Sequence, residues 1–415
     1  MKTMLPRFGR GLMTCALALA TATPLMAEDL TMWVRESAAD PGTLMVNLWN
    51  STHDNKITLT AIPDNQLVTK LATSSQTGDA PDLVSFDLIY MPDFMKAGLL
   101  TDLTEQLAAD GNYATHIQAY KDIATYEGKT FGVGFTPDVS VLAWNKDLFR
   151  QAGLDPEKPP QTIAEIHEMA TKIRAIGPDT YGFYFSGSCP GCNIFVTSPL
   201  MVAGGAKILP KDANDTALDG EAIKVVLETY KAMWEEGLIP ESAEVDTGAN
   251  FVSAFVGGNI GIAGTGGFLI SLMEREHPDF DYGLTLLPGL EPGQVSGFVG
   301  GDVVAIPANG KNEAAAREFV TWVLSDEAQL EGLAKNSILT TRTDLADNEY
   351  AQNPKVQVTA QALAAGYVPW VFHFADMVNS DSSPWITMLQ TAIFDGDVDG
   401  AIETARAEMM AIVQR

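Results

Sequence analysis

Basic residues, histidine and cysteine are all scarce in this chain. Its 415 residues include 26 Lys and Arg against 53 Asp and Glu, which gives a formal net charge of −27. A strongly acidic protein is repelled by nucleic-acid phosphates and by anionic membrane surfaces, so neither is expected as a partner. We interpret the acidity as that of a solvated surface, which does not by itself indicate a cationic ligand.

Motifs for metal binding and catalysis are missing as well. The five histidines, at positions 53, 116, 167, 277 and 373, form no His-Glu-x-x-His or other metal-ligand spacing. There is no Gly-x-Ser-x-Gly motif, and residues 264–267, Gly-Thr-Gly-Gly, match neither a P-loop nor a complete dinucleotide fingerprint. The sequence therefore predicts no metal, no cofactor and no enzymatic activity.

No apolar run is long enough to span a bilayer, and the one near the N-terminus has the features of a secretory signal. Basic residues in the first ten positions precede the apolar residues 11–19, and small-residue cleavage sites follow at Ala27 or, alternatively, Ala22. Cys15 lies inside the apolar run, which disfavours a lipid anchor. We expect cleavage of residues 1–27 and export to the periplasm, where the mature chain has a formal charge of −30.

Two cysteines remain after the leader, Cys189 and Cys192, in the sequence Ser-Cys-Pro-Gly-Cys-Asn. No second cysteine pair is present to complete a zinc site, and an exported protein meets an oxidising compartment. A structural disulfide between them is therefore favoured over redox chemistry.

Predicted strands and helices alternate along the chain. Strands over residues 30–34, 56–62 and 82–85 alternate with helices over residues 66–73 and 91–97, which is typical of an α/β domain with a largely parallel sheet. A chain of 415 residues is too long for one ordinary core and predicts two domains.

The stretch from residue 126 to 149 is central to the prediction. It consists of two extended pieces, residues 130–135 and 139–144, separated by Thr136, Pro137 and Asp138. Proline cannot donate to a central strand ladder, so the pattern suits a chain that crosses between two lobes and leaves Asp138 at the crossing. The alternative is a strand, turn and strand inside one domain.

Four segments in order resemble the bacterial extracellular solute-binding proteins that include maltose-binding protein. The segments are YEGKTFGVGFTPDVSVLAWNKDLFRQAGLDP at 126–156, APDLVSFDLIYMPDFMKAGLLTDLT at 80–104, FVSAFVGGNIGIAGTGGFLISLM at 251–273 and GFVGGDVVAIPANGKNEAAAREFVTWVLSDEAQ at 297–329. The resemblance implies a two-lobed α/β fold with a ligand cleft between discontinuous domains. The lobes would be residues 28–137 plus 298–338, and residues 138–297 plus 339–415.

The resemblance also implies a soluble, monomeric component of an ATP-driven carbohydrate importer. It would close around a sugar and deliver it to membrane permease subunits. Two alternatives remain open: a secreted glycoside hydrolase, because carboxylates and aromatics also serve glycoside cleavage, and a binding protein for a polyol, glycerol phosphate or polyamine.

Candidate ligand-binding residues combine polar groups, glycines and aromatic rings. Sugar hydroxyls need hydrogen-bond partners, and the apolar face of a sugar ring stacks on aromatic side chains. Polar candidates follow predicted strands, because ligands of open α/β sheets bind beyond the strands' carboxyl ends. The candidates are Arg35, Glu36, Phe86, Asp87, Asp138, Tyr184, Gly266, Gly267, Phe268, Gly300, Gly301, Asp302, Arg342 and Trp370.

Overall fold

The computed structural model describes Met1, residues 29–380 and residues 382–415, so the predicted leader and its cleavage site lie outside the described residues. No helix within the described ranges is long and apolar enough to cross a membrane. The strands are β1 (Leu30–Arg35), β2 (Ile57–Ile62), β3 (Leu83–Asp87), β4 (Thr125–Tyr126), β5 (Lys129–Thr130), β6 (Val133–Asn145), β7 (Tyr181–Tyr184), β8 (Ile260–Gly266), β9 (Tyr282–Thr285), β10 (Leu287–Pro288), β11 (Val295–Ser296) and β12 (Val299–Ala305).

Helices alternate with the strands, as the sequence pattern predicts, and the α/β class is confirmed. They are α1 (Ala39–Thr52), α2 (Asp64–Thr77), α3 (Met91–Lys96), α4 (Thr104–Ala109), α5 (Gln118–Ile123), α6 (Lys146–Gln151), α7 (Ile163–Arg174), α8 (Pro190–Val196), α9 (Ser198–Ala203), α10 (Glu221–Glu235), α11 (Ser253–Val256), α12 (Leu269–Glu276), α13 (Glu313–Val323), α14 (Pro354–Ala365), α15 (Pro384–Ile393) and α16 (Val398–Ile412).

One sheet of eight strands runs through the molecule in the order β2-β1-β3-β12-β6-β8-β7, with β9 also paired to β6. β1 is parallel to β2 and β3, and β7 is parallel to β8. β12 runs antiparallel to β3 and β6, and β6 runs antiparallel to β8 and β9. We call β2, β1, β3 and β12 the first half of the sheet, and β7, β8 and β9 the second half.

Strand β6 belongs to both halves. Its residues up to Val139 pair with β12, and its residues from Ser140 onward pair with β8 and β9. The predicted break at Pro137 is wrong, because the strand continues through it over 13 residues. Pro137 lies opposite Gly301, whose φ of 86° and close approach to the Thr136 carbonyl leave no room for a β-carbon. The chain accommodates proline inside this strand by placing glycine beside it.

Two apolar cores fill the space between sheet and helices. In the smaller core, α13 buries one apolar face, which consists of Ala315, Ala316, Phe319, Val320 and Val323. The predicted disulfide between Cys189 and Cys192 is confirmed. Cys189 caps the N-terminus of helix α8, and Cys192 lies in the first turn of that helix.

Candidate functional site

Carboxylates gather around Arg35 at the end of β1. Its Nε donates to Asp302 Oδ1 at 2.6 Å, and its Nη1 donates to Asp87 Oδ2 at 3.2 Å. The carboxylate of Asp64 lies 3.9 Å from Nη1. Strand register explains the grouping, because Asp302 on β12 is the direct partner of Asp87 on β3. We call Arg35, Asp64, Asp87 and Asp302 the charged cluster.

Burial governs the charges in this cluster. Asp302 is fully buried, and burial raises its pKa to about 6 although the Arg35 guanidinium acts in the opposite direction. Burial likewise raises the pKa of Asp87 against the influence of Arg35. For Arg35, burial lowers the pKa, but the carboxylates of Asp302, Asp87 and Asp64 outweigh it and leave the pKa above its ordinary value. Arg35 is therefore a cation whose guanidinium already faces three carboxylates.

Asp138 lies at the midpoint of β6, opposite Gly300 of β12. Its carboxylate packs against Gly266, Gly267 and Phe268, which we call the glycine turn, between β8 and α12. A β-carbon on Gly266 would lie 2.5 Å from Asp138 Oδ2, and one on Gly267 would lie 3.2 Å from Oδ1. Glycine at these positions therefore lets the turn approach the carboxylate.

The Asp138 carboxylate is incompletely hydrogen-bonded. Its Oδ1 is enclosed, and no group in the described part of the chain donates a hydrogen bond to it. Burial raises the pKa of Asp138 to about 7, opposed by the backbone N–H groups of Val139, Gly267 and Phe268 and by the Arg35 charge. An enclosed carboxylate oxygen without a hydrogen-bond donor is costly to bury.

An aromatic ring borders this carboxylate. Phe268 is 39% exposed, which is unusual for a large apolar side chain in this molecule. Its Cε1 atom lies 2.4 Å from the position that a β-carbon on Gly266 would take, so the ring and the Asp138 carboxylate pack against the same face of this glycine. The predicted combination of a stacking surface with a polar acceptor therefore occurs at this turn.

Three residues near the site were missed by the sequence analysis. Tyr120 is fully buried and donates from its hydroxyl to the Gly300 carbonyl at 2.9 Å. Tyr90, in the turn after β3, accepts a 2.8 Å hydrogen bond from Asn379 Nδ2. This bond connects the turn after β3 to residues near the C-terminus. Tyr90 could have been identified from the sequence, because it lies three positions after the candidate Asp87. No sequence pattern identifies Asn379.

Two of the predicted aromatic residues, Phe86 and Tyr184, are buried in contacts within the protein. Phe86 is fully buried and packs edge-on against Phe94 with ring centroids 4.8 Å apart. Tyr184 is 3% exposed and donates to Asp246 Oδ2 at 2.7 Å. Neither ring offers a face to a ligand, so neither is carried into the site proposed below.

Arg342 is likewise engaged elsewhere. Its guanidinium contacts the carboxylates of Asp326 and Asp344, each at 2.6 Å, and its side chain is 5% exposed. A further hydrogen bond of 2.8 Å goes to the Leu324 carbonyl. These partners satisfy the guanidinium within the protein, so Arg342 is also left out of the proposed site.

Two further candidates, Glu36 and Trp370, lie outside the charged cluster and the glycine turn. Glu36 is exposed in a short 3₁₀ turn directly after Arg35. Trp370 is half-buried and stacks on Tyr126 with centroids 6.2 Å apart, while Phe372 packs edge-on against Trp370 at 5.1 Å. The Trp370 segment also places the His373 N–H 3.1 Å from Asp93 Oδ1. The segment around Trp370 therefore contacts Asp93 of α3 and Tyr126 of β4.

Comparisons with known proteins agree with this architecture. Residues 31–330 match the family described as bacterial extracellular solute-binding protein. A Brucella abortus protein named as a binding protein is 23% identical over 99% of this chain and 100% of its own length. The diacetylchitobiose binding protein of Streptomyces coelicolor is 25% identical over 91% of this chain and 88% of its own length. A solute-binding protein of Thermotoga lettingae, bound with α-D-tagatose, superposes with a TM-score of 0.82 at 22% identity, covering 93% of this chain and 100% of that one.

Proposed function

Because this chain belongs to the bacterial extracellular solute-binding proteins, we propose that it is the substrate-binding component of an ATP-driven carbohydrate importer. The confirmed two-lobed α/β fold and the ligands named for its relatives, diacetylchitobiose and tagatose, support a sugar as its cargo. It acts in the periplasm as a monomer and delivers the sugar to membrane permease subunits.

The observation that carries the proposal is the juxtaposition of Asp138 and Phe268. The enclosed Oδ1 of Asp138 has no hydrogen-bond donor among the described residues, and the exposed Phe268 ring packs against the same face of Gly266 as the Asp138 carboxylate. A sugar has an apolar ring face and a hydroxyl edge, so one molecule can stack on the ring and donate to the carboxylate.

Electrostatics favour a neutral ligand over glycerol phosphate. Arg35 is the cation of the charged cluster, and Asp302, Asp87 and Asp64 already surround it. A phosphate placed there meets more carboxylates than free cationic groups, and the like charges repel. The carboxylates instead accept hydrogen bonds from neutral hydroxyl groups.

Two strands support the proposed hinge. β6 changes its partner from β12 to β8 between Val139 and Ser140, close to the proposed lobe boundary at residues 137 and 138. β12 begins at Val299, next to the second proposed boundary at 297 and 298. We propose lobes of residues 28–137 plus 298–338 and 138–297 plus 339–415, which close on the sugar by bending at these crossings.

A thermal-shift panel tests the function. Maltose, N,N′-diacetylchitobiose and tagatose represent neutral sugars, and mannitol, sn-glycerol 3-phosphate and spermidine represent the alternatives. We expect at least one neutral sugar to raise the melting temperature, because a ligand that binds only the folded state at 100 times its Kd stabilises it by about 2.7 kcal/mol. Chromatography after incubation should recover the sugar intact.

Two results would contradict the proposal. Stabilisation by sn-glycerol 3-phosphate or spermidine alone would replace the sugar with an anionic or cationic ligand. Cleavage of the bound sugar would indicate a hydrolase, for which the family and the site offer no support.

A further inference from the structure

The loop of residues 246–251 joins the disulfide to the glycine turn. Asp246, at its start, is 5% exposed and accepts hydrogen bonds from the Tyr184 hydroxyl at 2.7 Å and from the Asn250 N–H at 3.1 Å. Its carbonyl accepts from the Ser188 N–H at 2.9 Å. Burial raises the pKa of Asp246, but these hydrogen bonds outweigh it and keep the pKa below its ordinary value. The loop is therefore anchored on an ionised, buried carboxylate next to the disulfide.

Gly248 brings the loop directly onto the two sulfur atoms. A β-carbon at Gly248 would lie 3.0 Å from Cys189 Sγ and 3.1 Å from Cys192 Sγ. The φ of Gly248 is 110°, a conformation that residues with side chains rarely adopt. Both the space and the backbone therefore require glycine where the loop crosses the disulfide.

Phe251 ends the loop beside the site. Its N–H donates to the Gly248 carbonyl at 3.1 Å, so the position of Phe251 follows that of Gly248 through one turn. The Phe251 ring is half-buried and lies 6.5 Å from the Phe268 ring, centroid to centroid, at an interplanar angle of 45°. Phe251 is thus the aromatic neighbour of the exposed ring that borders Asp138.

We propose that Phe251 is a further specificity-determining residue of the sugar site, and that Gly248 on the Cys189–Cys192 disulfide positions it. The proposal rests on the sugar-binding function proposed above. Phe251 extends the apolar surface of Phe268, so a ligand that covers both rings gains more than a ligand that covers Phe268 alone. The disulfide provides a rigid support for the loop.

Three variants and one control test this proposal by calorimetry with the best-binding neutral sugar of the panel. Phe251→Ala is expected to weaken binding roughly 2- to 10-fold, the range for an aromatic contact. Phe251→Leu, which retains apolar volume, should weaken it less. Gly248→Ala should weaken it similarly, because the new β-carbon meets both sulfur atoms and displaces the loop. Gly258→Ala is the matched control, since Gly258 also has a positive φ, 84°, but only the Phe280 ring lies nearby, at 3.9 Å.

The double variant Gly248→Ala/Phe251→Ala separates positioning from general damage. If Gly248 acts through Phe251, the double variant binds no more weakly than Phe251→Ala, because coupled residues are non-additive. If the fold-loss in affinity of the double variant equals the product of the two single fold-losses, the positioning role of Gly248 is overturned. Unchanged affinity in Phe251→Ala would overturn the specificity role, as would an equal loss in Gly258→Ala.

A ligand-free crystal structure of Gly248→Ala keeps this inference separate from the proposed function. We expect the Phe251 ring to move away from Phe268 relative to the parent. An unmoved ring contradicts the positioning role even if sugars bind, whereas failure of every neutral sugar in the panel contradicts the proposed function.

Discussion

The Asp138 carboxylate and the backbone of Gly266 approach so closely that a β-carbon on Gly266 would lie 2.5 Å from Oδ2. The same β-carbon would lie 2.4 Å from Cε1 of Phe268. Because Gly266 has no β-carbon, a carboxylate and an aromatic ring can both pack against the same face of this turn. Separations below 3.0 Å require one of the three groups to move.

The first prediction follows from that approach. Gly266→Ala should weaken sugar binding at least roughly 10-fold, because it displaces either the Asp138 carboxylate or the Phe268 ring, and each loss is worth on the order of 1 kcal/mol or more. Calorimetric titration measures the effect. Gly177→Ala serves as the control, since no atom beyond its chain neighbours lies within 4 Å of the added carbon. Equal affinities for Gly266→Ala and the parent would show that the sugar does not use this turn.

The second prediction concerns the unsatisfied acceptor. Asp138→Ala should cost about 1.5–3 kcal/mol of binding free energy, the range for a hydrogen bond to a charged group, which is about one to two decades in Kd. The melting temperature without ligand should not fall, because the variant also removes an enclosed oxygen that lacks a donor. Asp147→Ala, an exposed aspartate after the same strand, is the control. If Asp138→Ala binds as tightly as the parent, the carboxylate makes no ligand contact.

The third prediction concerns pH. The folded-state pKa of Asp138 is about 7, above its ordinary value of 3.8, so between these values the folded protein holds a proton that the unfolded chain releases. This group therefore contributes stability below about pH 4 that is lost as the pH rises through about 7. From pH 5 to pH 8, the parent should lose more stability than Asp138→Asn, whose side chain does not titrate.

Comparison of these two proteins isolates Asp138 from other titrations. His116, whose pKa burial lowers to about 3, destabilises both proteins as the pH falls below its ordinary range, and this contribution cancels in the difference. Melting temperatures at half-unit pH intervals provide the measurement. Parallel curves for parent and Asp138→Asn would place the Asp138 pKa near its ordinary value.

The fourth prediction concerns closure. The Tyr90 hydroxyl and Asn379 join the two parts of the chain that should separate when the lobes open. The radius of gyration by small-angle scattering should decrease when a saturating sugar is added, and Tyr90→Phe should weaken binding roughly 2- to 10-fold by removing one hydrogen bond from the closed state. Tyr181→Phe, the same change in a half-buried residue away from this contact, should not. An unchanged radius at saturating sugar would rule out hinge closure.

Features that depend on residues close together in the chain could be predicted from the sequence alone. Arg35 and Asp87 were predicted at strand ends and lie at the ends of the parallel strands β1 and β3. Asp302 lies inside β12, where the antiparallel register places it opposite Asp87. The isolated pair Cys189 and Cys192 predicted the disulfide. These features depend on residues close together in sequence, where backbone geometry leaves few alternatives.

Only the tertiary structure decided which of several similar residues are buried or ion-paired within the protein. Phe86 and Phe268 were both predicted near strand ends, yet Phe86 is fully buried against Phe94 and Phe268 is 39% exposed. Arg35 and Arg342 were both candidates, but Arg35 pairs with carboxylates at the candidate site, whereas Arg342 pairs with Asp326 and Asp344 elsewhere. Burial and ion pairing depend on segments that pack together from distant parts of the chain, and local propensity carries no information about which segments those are.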